Sequence, residues 1–192
     1  MYEKVFMVSG ITSDIKLKQH LLNLAGIMLV AFILLTGKIS ITQAAQAAPN
    51  AVFTVNLKTY NLDQFRGRKV MLWLFSTWCP SCQVGLKILS DNQPRLKKYG
   101  LQVIALVNYK NGGYSGPTAQ EFSEKYGKSV VKSSNWLFGN ASKRLAAIYN
   151  SKGYPDIYFL IDKKGFIRII SDAPAATIDR IINFAKSRKP VK

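Results

Sequence analysis

Between residues 52 and 188 the chain alternates short runs dense in β-branched and aromatic residues with longer stretches in which apolar positions recur every three or four residues. The runs at 52–57, 70–76 (VMLWLFS), 101–107 (LQVIALV), 157–161 and 166–170 predict strands. VMLWLFS and IALV are almost unbroken in apolar character, so these strands should be covered on both faces. Helical patterns fill the gaps. One runs from Cys79 to about Tyr99. A second opens at Thr118, where Glu121 completes a capping box and Phe122 and Tyr126 share a face. A third, 142–149, brings Leu145, Ile148 and Tyr149 together, and a fourth, 177–186, aligns Ile178, Ile181, Ile182 and Ala185. The predicted order is β, β, α, β, α, α, β, β, α, and Asp162-Lys163-Lys164-Gly165 closes the last two strands into an antiparallel hairpin. That order describes an α/β sandwich with a central mixed β-sheet flanked by helices. The glycine-rich stretch 111–117 (NGGYSGP) lacks the pattern of a phosphate-binding loop and reads as a plain connection.

A different pattern occupies the N-terminus. Lys4, Lys16, Lys18 and His20 precede an apolar run at 21–36, and Ala45-Gln46-Ala47 follows with the small-x-small spacing that a signal peptidase reads. The sixteen residues of that run fall short of the roughly 20 that span a bilayer, which favours a cleaved export signal. The long spacer carrying Lys38 keeps an uncleaved signal-anchor open. Residues 1–47 are therefore expected to be a signal peptide or signal-anchor, and 48–192 one domain. The expected location is periplasmic or extracytoplasmic, with the protein soluble or held at the inner membrane by residues 21–36.

Composition narrows the chemistry. With 48% apolar and 19% charged residues, 192 residues suit one globular domain. Two cysteines and a single histidine exclude a Cys/His zinc site built from one copy of the chain. Because that histidine is His20, residues 48–192 also lack the base a Cys/His hydrolase needs. The charge is +17, but the basic residues are dispersed with no aromatic-interleaved stripe, so a solvated surface is expected and no nucleic-acid partner. The tail 186–192 could touch anionic lipid.

Both cysteines fall in Trp78-Cys79-Pro80-Ser81-Cys82, where a strand ends and a helix begins. Positions i and i+3 share a helix face at a separation a disulfide can bridge. Cys79 occupies the cap position and Pro80 the first helical position, where its missing N–H costs nothing. The free N–H groups of the first turn favour a thiolate at Cys79, and the thiolate is the attacking species. Exposed Cys79 would then attack a partner's disulfide and Cys82, one turn deeper, would resolve the mixed disulfide. Two alternatives stand beside this. One is a static disulfide, which so small a loop makes a poor staple. The other is a copper(I)-binding module or chaperone that uses the same two thiolates without turnover. A third reading is a non-catalytic adaptor binding acidic partners through its basic surface.

Trp78-Cys79-Pro80-Ser81-Cys82 after a hydrophobic strand, together with Gly153-Tyr154-Pro155 leading into Leu160-Ile161-Asp162 and Gly165, resembles the TlpA/ResA/DsbE-like periplasmic branch of the thioredoxin superfamily over about residues 50–188. The resemblance implies a thioredoxin-like three-layer sandwich and an exported thiol-disulfide oxidoreductase, more a reductant than an oxidant. It implies no cofactor beyond the redox-active Cys79–Cys82 pair and no metal. It also implies a cis peptide bond before Pro155, with Pro155 against the CxxC, and a Tyr154 backbone that pairs with a substrate strand. Trp78 and Pro80 would complete the substrate-binding surface, Trp78 as a partly exposed cover, while Trp73 and Trp136 belong to the core. The implied partners are a membrane electron donor and a disulfide-bearing client, either a cytochrome-maturation protein or a methionine sulfoxide reductase; residues 109–126 resemble part of the thioredoxin-like domain that feeds electrons to the latter. Several departures are visible. Pro80-Ser81 separates the cysteines, and the segment 155–165 is one residue longer than is common in the family, predicting a bulge near the site. VMLWLFS carries no buried acid. Asp156, where some cytochrome-maturation members have glutamate, either assists proton transfer to Cys82 or is solvated.

Overall fold

The architecture is set by β3 (Lys69–Phe75) and β4 (Leu101–Val107), which pair in parallel from Lys69↔Leu101 to Phe75↔Val107. The computed structural model describes residues 46–187; all but the last two residues of the expected export signal or anchor, and the last five residues of the chain, lie outside them. Alternate side chains of β3 enter opposite cores, Met71, Trp73 and Phe75 on one face and Val70, Leu72 and Leu74 on the other. This two-sided burial explains the unbroken apolar run. Burying one such side chain contributes about 1.5–3 kcal/mol, so β3 and β4 anchor everything around them.

Outward from this pair, β5 (Trp136–Ala141) lies parallel to β4, and β6 (Asp156–Ile161) lies antiparallel to β3. The edges are β7 (Ile167–Ser171), antiparallel to β6, and the β1 (Val52–Val55)–β2 (Lys58–Asn61) hairpin, whose β1 is antiparallel to β5. The sheet order is β2-β1-β5-β4-β3-β6-β7. Helices α1 (Pro80–Asp91), α2 (Gln93–Lys98), α3 (Ala119–Tyr126) and α5 (Ile178–Lys186) bury residues in one core, and α4 (Lys143–Tyr149) does so in the other. The layered α/β sandwich with a mixed sheet is the predicted one.

Two strands escaped the periodicity. Edge strand β2 reads Lys-Thr-Tyr-Asn and is half in water, and β5 is interrupted by Gly139 and Asn140. Gly139 is needed there because a Cβ would collide with the Thr54 carbonyl oxygen of β1. The expected long helix after Cys79 is two helices. Pro94 lacks the N–H a continuous helix would use, the break falls at Asn92, and Asn92 caps the first helix by donating to the Ile88 carbonyl at 2.9 Å. Thr118 and Glu121 form the predicted capping box. Ile148 does not join Leu145 and Tyr149 in the core but faces outward.

The extra residue of 155–165 is absorbed as a register shift between Leu160 and Ile161, at the turn end of β6 rather than near the cysteines. There Asp162 accepts from the Lys164 and Phe166 N–H groups, and the displaced strand brings Arg168 onto the same carboxylate at 2.7 Å. Gln46 to Ala48 add to this hairpin through an Ala47–Phe166 bridge. Among the described residues no helix is long and apolar enough to cross a membrane.

Candidate active site

Strand β3 ends under the first turn of α1. Ser76 donates its N–H to the Pro155 carbonyl at 2.8 Å, which ties the end of β3 to the start of β6. The chain then turns so that Cys79 becomes the N-cap of α1 with extended backbone angles and Pro80 its first residue. Cys79 makes no side-chain cap hydrogen bond, and the positive end of the helix dipole faces its sulfur. Both thiols are free. Contrary to expectation Cys79 is not exposed: it is 4% accessible, and Cys82 is fully buried.

The acid missing from VMLWLFS is supplied by Asp156, which stands directly opposite Phe75 at the start of β6. It is buried rather than solvated. Trp73 Nε1 donates to one of its oxygens at 2.8 Å and Ser81 Oγ to the other at 3.1 Å. Burial raises the proton affinity of this carboxyl above the ordinary carboxylate range. The hydrogen bonds from Trp73 and Ser81 pull the other way, Asp172 adds to the rise, and the Ala173 N–H opposes it. The Cys82 thiol donates to the Pro155 carbonyl at 3.2 Å. Burial pushes its pKa far up, and Asp156 and Cys79 add to that.

The Tyr154–Pro155 region corrects two implications of the family resemblance. No peptide bond among the described residues is cis, so Pro155 follows a trans bond, the form an X–Pro amide prefers by about 0.5–1 kcal/mol. Nor is the Tyr154 backbone free to pair with a client strand. Its N–H donates to Asn150 Oδ1 at 2.8 Å, and its carbonyl accepts from Asn150 at 2.7 Å and Asn108 at 3.1 Å. What Tyr154 presents outward is its exposed ring. Pro155 does lie against Cys82, through its carbonyl.

Trp78 is the expected partly exposed cover, and Trp73 and Trp136 are buried. The Trp78 indole N–H donates to the Asn111 carbonyl at 2.9 Å, and its ring meets Tyr114 at 4.8 Å. Asn111 also accepts from the Thr77 N–H and donates to the Thr77 hydroxyl, both at 2.9 Å. The glycine-rich 111–117 stretch is thus the rim of the site rather than a plain connection. Gly116 belongs to that fit, since a Cβ there would press on Thr77 Oγ1 and lie 2.8 Å from Asn111 Nδ2. Sequence reasoning missed Asn108, Asn111, Tyr114 and Asn150, and it passed over Ser81 as a mere departure. The glycine cluster was the one signal that could have found the rim.

The reactive atoms of Cys79, Cys82 and Asp156 lie within 4.8 Å of one another, the one such grouping of three among the described residues. Both Asp156 oxygens already accept hydrogen bonds and Cys82 is tied to Pro155. Chemically this is a dithiol beside a proton-holding carboxylate, and we do not assign it as a metal ligand set.

Two thiols at a helix start beneath a mixed sheet define a thioredoxin-like redox domain. The chain belongs to the Redoxin family, whose model matches residues 43–179. It is 28% identical over 125 residues to the thiol-disulfide oxidoreductase ResA of Geobacillus kaustophilus, covering 64% of this chain and 66% of that one, just under two thirds. It is 29% identical over 161 residues to the thioredoxin-like protein YneN of Bacillus subtilis, covering 77% and 87%. A crystal structure of a putative thiol:disulfide interchange protein DsbE from Chlorobium tepidum shares the fold, with a TM-score of 0.54, 19% identity, and 73% and 96% of the two chains covered.

Proposed function

We propose that the protein is an exported thiol-disulfide oxidoreductase that reduces disulfides in client proteins. In the reduced protein the Cys79 thiolate attacks a client disulfide: a Cys79–client bond forms, the client S–S bond breaks, and the departing client sulfur takes up a proton. Cys82, held beside it by Pro155, then loses its proton to Asp156 and attacks the Cys79 sulfur, releasing the second client thiol. Two electrons have passed to the client, and the Cys79–Cys82 disulfide is returned to the dithiol by a membrane electron donor. Trp78, Pro80 and the Tyr154 ring form the surface met by the client.

The observation that carries this reading is a pair of free thiols three residues apart at the start of α1, the inner one within 4.8 Å of a buried carboxylate. The N-terminal pattern supports export, with residues 21–36 either removed with a cleaved signal or retained as an anchor. The resemblance to the TlpA/ResA/DsbE-like branch supports a client in cytochrome maturation, with a methionine sulfoxide reductase as the second choice.

A Cys82→Ser variant is expected to accumulate mixed disulfides that identify the client, whereas Cys79→Ser should capture nothing and reduce no insulin. The reduction potential of the pair is expected toward thioredoxin's roughly −270 mV; a value near roughly −120 mV would make the protein an oxidant. Failure to reduce any disulfide, together with stoichiometric copper(I) uptake, would overturn the exchange reading in favour of a copper(I) module.

A further inference from the structure

Ser81 lies between the cysteines and makes two contacts through one atom. Its Oγ is 3.0 Å from Cys79 Sγ and 3.1 Å from Asp156 Oδ2. An ionised carboxylate can only accept, so the single hydroxyl proton of Ser81 is committed to Asp156. The oxygen lone pair is then left for the Cys79 S–H. The chain Cys79 S–H to Ser81 O–H to Asp156 carboxylate therefore has one direction, and Trp73 fixes its far end by holding the other carboxylate oxygen.

We propose that Ser81 is a catalytic proton relay which makes Asp156 the base for Cys79. The proton balance is explicit. The S–H proton moves to Ser81 Oγ while the hydroxyl proton of Ser81 moves to Asp156 Oδ2, leaving a Cys79 thiolate, a neutral serine and a carboxylic acid. In that state the acid donates to Ser81 and Ser81 donates to the thiolate, so every polar group keeps a partner and both ends of the path are satisfied. When the thiolate attacks the client disulfide, the departing client sulfur takes the proton back through the same hydroxyl. Asp156 is again a carboxylate and accepts the Cys82 proton in the second step. One carboxylate thus serves both sulfurs in turn, the outer one through Ser81. Its buried position, which raises its proton affinity, suits it to hold a proton between steps. The titratable groups facing the path are Cys82 on α1 and Asp172 after β7, with Trp73 from β3 as the neutral donor.

This inference rests on the exchange reading but is tested apart from it, by alkylation of the reduced full-length protein with iodoacetamide across the neutral range, read by mass on the Cys79 peptide. Ser81→Ala is expected to slow alkylation of Cys79 at neutral pH about tenfold. Ser81→Thr, which keeps the hydroxyl, is expected to restore it. Equal thermal midpoints for the two variants would show that the fold is not the cause. An unchanged profile in Ser81→Ala, or equal slowing by both variants, would overturn the relay. If the relay fails while Cys82→Ser still traps clients, the exchange reading survives. If the profile depends on Ser81 but no client is trapped, the exchange reading falls and the relay stands.

Discussion

Two aspartates bracket β6, and they have opposite electrostatic fates. Asp156 at its start and Asp162 just past its end are almost equally buried, at 8% and 9% accessibility. Burial raises both proton affinities, but at Asp162 it is outweighed by the Phe166 N–H, the Arg168 guanidinium and the Lys164 N–H, so its pKa falls below the ordinary carboxylate value. Arg168 approaches it to 2.6 Å. Asp156 has an indole and a hydroxyl instead of a cation, and its pKa rises. Asp162 gathers two backbone N–H groups and a guanidinium, Asp156 no cation at all, and the two proton affinities move in opposite directions. The turn end of the strand is built to hold a carboxylate ionised, and the thiol end to let one pick up a proton.

Deleting the satisfied end should cost most. Asp162→Ala leaves the largely buried Arg168 and two turn N–H groups without their acceptor, and a loss of about 3 kcal/mol in urea denaturation is expected; a loss below about 1 kcal/mol would show that the pair is solvent-screened. Trp73→Phe removes the indole donor from Asp156 and leaves a small void, an expected cost of about 2 kcal/mol. It should also raise the proton affinity of Asp156 further, visible as a changed pH dependence of Cys79 alkylation; stability loss without that change would make Trp73 a packing residue only.

The smallest effect has the opposite sign. A raised pKa means that the folded state binds more protons than the unfolded one between the unfolded carboxyl value of about 3.9 and the folded value, so the contribution of Asp156 is fully present below that window and is lost as pH rises through it. The lowered pKa of Asp162 gives a contribution present above about 3.9 and lost as pH falls. Asp156→Asn should therefore raise the urea midpoint at neutral pH and leave it almost unchanged in acid. A uniform shift at all pH values would contradict the assignment of Asp156 as the raised group.

Much of this was legible in local pattern. The continuous apolar runs of β3 and β4 announced two-sided burial, the Thr118–Glu121 spacing announced a capped helix, and two cysteines three apart after a buried strand announced the reactive pair, because each depends on neighbours within a few residues. β2 and β5 were not legible, since an edge strand half in water and a strand opened by Gly139 carry no clean period. The rim was missed because Asn111 acts on Thr77 and Trp78 across 33 or 34 residues of sequence, and Asn108 and Asn150 meet at the Tyr154 backbone from separate elements.

The chain by itself determined the elements that carry a clean period, β3, β4 and the capped helices among them, and it placed the two thiols at the mouth of α1. Only the folded molecule decided that Cys79 lies beneath the surface, that the Tyr154 backbone is already engaged, and that Asp156 is a buried acid whose partner Ser81 also touches Cys79. The physical reason is range. Periodicity and capping are settled between residues a turn or a pleat apart, whereas burial and hydrogen-bond partnership, which set the proton affinity of a carboxylate, depend on which distant strand and helix ends the closed sheet brings together.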